Sequence, residues 1–380
     1  MLGRVSMVVL VCCVAARAAG PLKFERIKIS GEVFEACSAF DVDKDGKIDI
    51  VSGGYWYAGP DFKKAHKICD VKPEGEYRDD FCDFPMDVNG DGYLDIITGG
   101  WWGKKLRWRE NPKGKPVPWK THDVDETGNV ETIRFWDVDR DGHLEAVPNA
   151  GGRLVFYRLV RGADGKGQSK FTEHVIMPKG VGHGLGFGDV NGDGRGDFVI
   201  PNAWVEAPKD PIKGKWTVHR EFDMRVTSDP ILVHDVNKDG LADIIAGAGH
   251  PYGLWWLEQK KGSDGKRTWV RHDIDPDRSQ YHDIALHDVD NDGELELVTG
   301  KRYRAHNGHD PGADDPVGVY YFNIDGGMFR RVTLDYGPPT KASGVGIYFW
   351  VQDLDGNGWK DIIAPGKEGL YLFKNHGPAK

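Results

Sequence analysis

The nine-residue stretch DVDKDGKID, which begins at Asp41, returns six more times along the chain. It reads DVNGDGYLD from Asp87, DVDRDGHLE from Asp137, DVNGDGRGD from Asp189, DVNKDGLAD from Asp235, DVDNDGELE from Asp288 and DLDGNGWKD from Asp353. The spacings are 46, 50, 52, 46, 53 and 65 residues. A unit of this length, repeated this often, restricts the chain to a repeat architecture. Each unit is one supersecondary element that buries its apolar face only against its neighbours.

Four strand-like pieces surround each loop. An inner piece such as LGFGDV precedes it and a run such as LDIITGG follows it. A third piece is aromatic, as in LRWRE or LWWLE, and a fourth has the form aromatic-x-x-His, as in WKTHDV or WTVHREF. Glycine supplies 51 of the 380 residues, and no long stretch keeps an apolar 3.6-residue period. Four strands per repeat, arranged radially, predict an all-β, seven-bladed β-propeller of four-stranded blades. After the seventh loop the chain ends before a fourth strand, whereas FERIKIS, residues 24–30, precedes the first loop as a spare one. That N-terminal strand is expected to complete the last blade and remove the open edge. The propeller then spans residues 22–376.

The loop pattern D-x-[DN]-x-[DN]-G-x-x-[DE] offers four side-chain oxygens on one tight turn, which suits a hard cation. The loops provide Asp41, Asp43, Asp45 and Asp49; Asp87, Asn89, Asp91 and Asp95; Asp137, Asp139, Asp141 and Glu145; and Asp189, Asn191, Asp193 and Asp197. They continue with Asp235, Asn237, Asp239 and Asp243; Asp288, Asp290, Asp292 and Glu296; and Asp353, Asp355, Asn357 and Asp361. All-protein oxygen ligands favour calcium over magnesium. Position 12 holds no glutamate, and strands rather than helices flank the loop, so these are not EF-hands. Arg195-Gly196-Asp197 resembles an adhesion tripeptide, but Asp197 is the ninth position of the fourth loop and is expected to point inward.

Residues 1–18 read as a secretory signal, with a basic start, an apolar core and Ala16-Arg17-Ala18 as cleavage site. Cys12 and Cys13 fall inside it, leaving Cys37, Cys69 and Cys82, with a Cys37–Cys82 bridge as one option. The ligand positions of the loops hold 24 acids against a formal net charge of −9, so the rest of the chain is net positive. With the loops filled by calcium, that surface suits an anionic glycan. No basic helix or groove motif suggests nucleic acid. No other apolar run approaches a membrane span.

The seven loops, together with GFGDVNGDG from Gly186, resemble the FG-GAP/VCBS-repeat family, which includes the integrin α-chain propeller. The insertion TGKRYRAHNGHDPGADDP, residues 299–316, is similar to secreted bacterial members related to the propeller of aldos-2-ulose dehydratases and to polysaccharide lyases. The resemblance implies calcium loops on the bottom face and ligands at the top. It leaves activity open, because adhesion proteins, lectins and lyases share the fold.

Six residues before each loop stand Glu35, Phe81, Glu131, His183, Asp229, His282 and Ile347, with Asp80 one step before Phe81. If the loops lie at the bottom, these residues begin the inner strands at the top, around the axis. The turns between second and third strands add Trp56, Trp101, Trp102, His250, Tyr252, Arg302, Tyr303, Arg304 and His306. For Trp56, packing between blades is an equal alternative. His66, His122, His174, His219 and His272 share one register of the fourth strand and read as structural. The pocket expected from this is lined by Glu35, Asp80, Glu131, Asp229, His250, Trp101, Trp102, Arg304 and His306. The chain is then a secreted, monomeric, calcium-binding propeller that binds a carbohydrate there. If it also acts by β-elimination or dehydration, His183 or His282 is the base, Tyr303 the acid, and Arg302 or Arg304 neutralises a uronate. The alternative is a non-catalytic adhesion or lectin-type module. Up to seven structural Ca2+ are expected, with room for one further metal ion in the top-face channel.

Overall fold

The computed structural model describes residues 21–378, so the expected signal segment lies outside the described residues. Seven four-stranded antiparallel sheets follow one another in chain order. The first is Ser38–Phe40, Asp49–Ser52, Tyr55–Ala58 and Lys64–Lys67. In the last, Trp350–Gln352, Asp361–Gly366 and Gly369–Pro378 are completed by Leu22–Ser30, which pairs antiparallel with the C-terminal strand. The ring therefore closes as the spare strand predicted, two residues earlier than the sequence suggested. A small extra hairpin, Pro73–Glu74 with Tyr77–Arg78, precedes the second blade.

Strand composition follows position in the blade. The second strands, such as Asp95–Gly99 and Asp243–Gly247, are buried along their whole length, hence their continuous runs of isoleucine. They sit between neighbouring blades, so both of their faces meet apolar surface. Each of the seven junctions between blades has its own apolar cluster. Phe156 and Val147 meet Phe198 and Val205 between the third and fourth blades. Ile245 and Trp256 meet Leu297 and Phe322 between the fifth and sixth. Cys37 and Ile50 meet Ile363 and Leu372 where the last blade returns to the first. Each such fully buried side chain contributes about 1.5–3 kcal/mol.

The fourth-strand histidines are structural. His66, His122, His174, His219 and His272 stack on Trp56, Trp108, Phe156, Trp204 and Trp256 of the neighbouring third strand, with ring centroids 4.1–4.8 Å apart. Trp56, only 2% exposed, thus belongs to the blade and not to a ligand site. The Cys37–Cys82 bridge does not form: Cys37, Cys69 and Cys82 are free thiols. The buried Cys37 and Cys82 face carbonyls of neighbouring blades, Ile363 O at 3.5 Å and Ile133 O at 3.6 Å.

The repeated loops all turn alike. Their sixth-position glycines have φ between 82° and 91°, a region that only glycine enters at little cost. In the first loop the Asp41 carboxylate accepts the N–H groups of Asp45 and Gly46, at 3.1 and 3.0 Å. The ninth-position carboxylate has a second task that the spacing did not reveal. In every loop one of its oxygens accepts the N–H of the second residue, as from Val42 to Asp49 at 2.9 Å. In five loops its other oxygen also accepts an N–H at the end of the third strand, as from Ala207 to Asp197 at 2.8 Å. Asp197 is fully buried in this way, so the Arg195-Gly196-Asp197 tripeptide is not displayed as a ligand.

Candidate functional site: the channel mouth

Because each loop ends an inner strand, the residues six positions earlier lie at the opposite end of the blades, around the axis. They are not a solvated ring. Glu35, Asp80, Asp229 and His282 are at most 3% exposed. The structure divides them into two groups.

The first group is locked in ion pairs that the sequence did not announce. Glu35 takes Arg302 through Nε at 2.8 Å and Nη2 at 3.4 Å. Burial alone would raise the Glu35 pKa, but the Arg302 guanidinium outweighs it and the pKa falls. Asp80 accepts Arg109 Nη2 at 2.6 Å and the Thr98 hydroxyl at 2.5 Å. Asp229 and the neighbouring Asp283 share Arg134, at 3.4 and 2.8 Å. Glu35 and Asp229 therefore tie different blades together, Asp80 anchors Arg109 within the second blade, and none of the three lines the open cavity.

The second group converges on one point. His282 Nε2 lies 2.9 Å and His183 Nε2 3.3 Å from the same oxygen of Glu131. His250 packs edge-on against His183, with ring centroids 4.6 Å apart. Burial pushes Glu131 up, yet His183 and His282 together hold it well below the usual carboxylate range. Glu131 in turn overcomes burial at His183 and raises its pKa. Burial, then the Arg302 charge, pushes His282 down to about 3. Burial, then His183, drives His250 further down, so His250 and His282 are neutral. Glu131, His183, His250 and His282 each bring one ligand atom within 4.8 Å of the others, so they could hold a metal ion.

Over this cluster opens a cavity of about 200 Å³, lined by Tyr77, Phe81, Trp101, Trp102, Glu131, Arg302, His306 and Asn307. Trp101 and Trp102 are 40% and 37% exposed. The insertion between the second and third strands of the sixth blade forms one rim. Three of its non-glycine residues, Arg304, His306 and Asn307, have φ of 49°, 48° and 54°. Such backbone persists only where its surroundings hold it. Here Arg304 binds Glu76 and Asp314, and the Tyr77 hydroxyl accepts the His306 N–H at 2.5 Å. Tyr303 and Arg304 border a separate, more open cleft with Glu76, Arg78 and Lys367. Tyr77 is thus the phenol at the cavity, and only its place in the extra hairpin could have pointed to it.

The fold and this polar mouth define a seven-bladed propeller with metal-type loops at one face and a pocket at the other. The chain carries FG-GAP-like repeats, matched by that family's model at residues 87–147 and 235–299. Among solved structures, BBS1N in complex with ARL6DN is 9% identical, covers 94% of this chain and 97% of its own, and has a TM-score of 0.52. More loosely similar is an Agrocybe aegerita lectin specific for non-reducing terminal N-acetylglucosamine, 16% identical over 91% and 90% of the two chains, TM-score 0.47. So is a rhamnogalacturonan lyase, 13% identical over 95% and 74%, TM-score 0.48. No curated protein matches the chain in sequence. Among the described residues no helix is long and apolar enough to cross a membrane.

Proposed function

We propose that this chain is a secreted, calcium-stabilised propeller that binds a terminal sugar of an anionic glycan in the cavity at its channel mouth. One observation carries the reading: two part-exposed indoles share a cavity with an arginine, a carboxylate and an imidazole. Indole faces pack on the C–H face of a sugar ring, while a few placed polar groups hold its hydroxyls and carboxylate. A cavity of about 200 Å³ is smaller than the ~300–1,000 Å³ of larger ligand sites. It suits one ring better than a polymer laid across it. The signal-like N-terminus supports secretion, and the net positive remainder of the chain supports an acidic partner.

Binding fits the geometry better than cleavage. Tyr303 and Arg304, the expected acid and one expected neutraliser, border the neighbouring cleft and not the cavity, while Arg302 turns Nε and Nη2 to Glu35 and keeps Nη1 for a ligand. Calorimetric titration with neutral and acidic monosaccharides is expected to show binding that prefers the acidic ones. Trp101→Ala should weaken it at least ~10-fold while shifting stability by no more than about 0.5 kcal/mol, the usual effect of a surface substitution, whereas Trp102→Ala also removes packing on Tyr77 and Phe81. Sugar binding that ignores Trp101→Ala and Trp102→Ala would sink this site. Unsaturated product absorbance on incubation with polyuronates would show that cleavage accompanies binding.

A further inference from the structure

We propose that Glu131, His183, His250 and His282 hold one divalent transition-metal ion, of the zinc type, at the channel mouth. The site is built by four consecutive blades, the third to the sixth, and shares only Glu131 with the cavity of the sugar reading. Three imidazoles and one carboxylate suit zinc and its first-row neighbours, whereas calcium and magnesium prefer oxygen alone. The bottom-face loops offer mainly carboxylates and amides, so this chain separates two metal chemistries at its two ends.

Ring spacing fits an ion. Imidazoles bound tetrahedrally at about 2.0–2.1 Å place their centroids roughly 5 Å apart. The three pairs here are at 4.6, 5.0 and 5.7 Å.

Proton placement fits as well. His183 Nδ1 lies 2.8 Å from the Thr227 carbonyl, which only accepts, so Nδ1 carries a proton. That leaves Nε2 free, and it has no hydrogen-bond partner although it is buried. His250 Nδ1 donates to Asp310 at 2.9 Å, which leaves its Nε2 free too. The other Asp310 oxygen takes His306 Nδ1 at 2.8 Å, and His306 stacks on His250 at 4.3 Å, so the ring cannot swing away. A carbonyl behind His183 and a carboxylate behind His250 are the usual outer shell of a metal site, whereas His282 Nδ1 is buried without such a partner. A bare imidazole lone pair 3.3 Å from a carboxylate oxygen needs a cation between them. A proton on His183 would answer for its pair with Glu131 alone, whereas an ion also gives the free Nε2 of His250 a partner. Glu131 also lines the cavity, so the ion would border it.

The test uses the full chain, stripped of metal and returned to millimolar calcium to fill the loops. Zinc is then titrated by calorimetry and counted by mass spectrometry, and cobalt is added as a coloured probe. We expect one equivalent of tightly held zinc and a visible ligand-field band with cobalt. His183→Ala and His250→Ala, at less buried positions than His282, should each lower zinc affinity at least 100-fold. Asp310→Asn, which touches only the back of His250 and His306, should lower it about 10–100-fold and leave the calcium-dependent melt unchanged. The proposal is overturned if the calcium-loaded chain retains no zinc, since His183 as imidazolium then balances Glu131. It is equally overturned if zinc binding survives His183→Ala but not His306→Ala, because the ion would then sit at His250, His306 and Asp310.

Discussion

Removing divalent cations with excess chelator is expected to lower the melting temperature by roughly 10–20 °C, and calcium, but not magnesium, should restore it. The expectation comes from mass action on the seven loops. An ion present at ten times its Kd stabilises the folded chain by about 1.4 kcal/mol, and seven such sites add on the order of 10 kcal/mol. Whole domains are stable by only about 5–15 kcal/mol. The loops are built to need the charge. Asp41, Asp43 and Asp45 converge closely enough to share one ion, as do Asp137, Asp139 and Glu145, and Asp288, Asp290 and Glu296. Without a cation these groups repel one another, and in five of the loops they do so beside a ninth-position carboxylate that ties the loop to the third strand. Losing the ion therefore loosens the blade as well as the turn. Magnesium should fail because it demands a near-octahedral shell and gives up its waters reluctantly. Differential scanning calorimetry with and without chelator decides the matter. An unchanged melt would mean that the hydrogen bonds within the loops hold them and that any bound ion is not structural.

The blades were legible in the sequence and the partners at their hub were not, for one physical reason. Blade features recur at the repeat period, so the loops, the buried second strands, the stacking histidines and the closing N-terminal strand each carry local patterns. The hub is made of contacts between residues that share no local pattern. Counting six residues back from each loop found Glu131, His183 and His282, which do converge. The same count, with Asp80 one step further back, placed Glu35, Asp80 and Asp229 in one pocket with them, although each is consumed by an arginine that the repeat pattern does not pair with it. Arg302 lies 267 residues from Glu35. Asp310, which orients His250 and His306, belongs to an insertion with no counterpart in the other repeats. One signal was available. Three residues before each loop the blades carry Ser38, Phe84, Arg134, Gly186, Leu232, Ala285 and Trp350. A lone arginine in a register otherwise small or apolar marks a group that reaches across the axis.

Arg134→Met is accordingly expected to cost about 3–5 kcal/mol, the usual consequence of removing one partner from a buried ion pair. Arg134 rises from the inner strand of the third blade, with its side chain only 11% exposed. It holds Asp229 before the fifth blade and Asp283 at the start of the sixth, and it donates to the Asp229 and Ile347 carbonyls. Its guanidinium lies over the Tyr348 ring, 4.6 Å from the centroid. One side chain thus ties four blades across the channel, beside the inner-strand aromatics Phe84, Phe135, Tyr348 and Trp350. Burial already pushes Asp229 up to about 6 and Asp283 to about 7, against the pull of Arg134. Methionine would fill much of the volume but leave both carboxyl groups buried without a counter-charge. Arg134→Lys should fall between, since it keeps the charge but loses the planar fork that serves several acceptors at once. Thermal melts of the calcium-loaded variants read the cost. Adding Asp229→Asn and Asp283→Asn to Arg134→Met should recover at least half of it, because the stranded charges, and not the lost packing, dominate the penalty. If Arg134→Met melts with the unaltered chain, the seven apolar junctions alone hold the ring shut and the axial arginine is dispensable for stability.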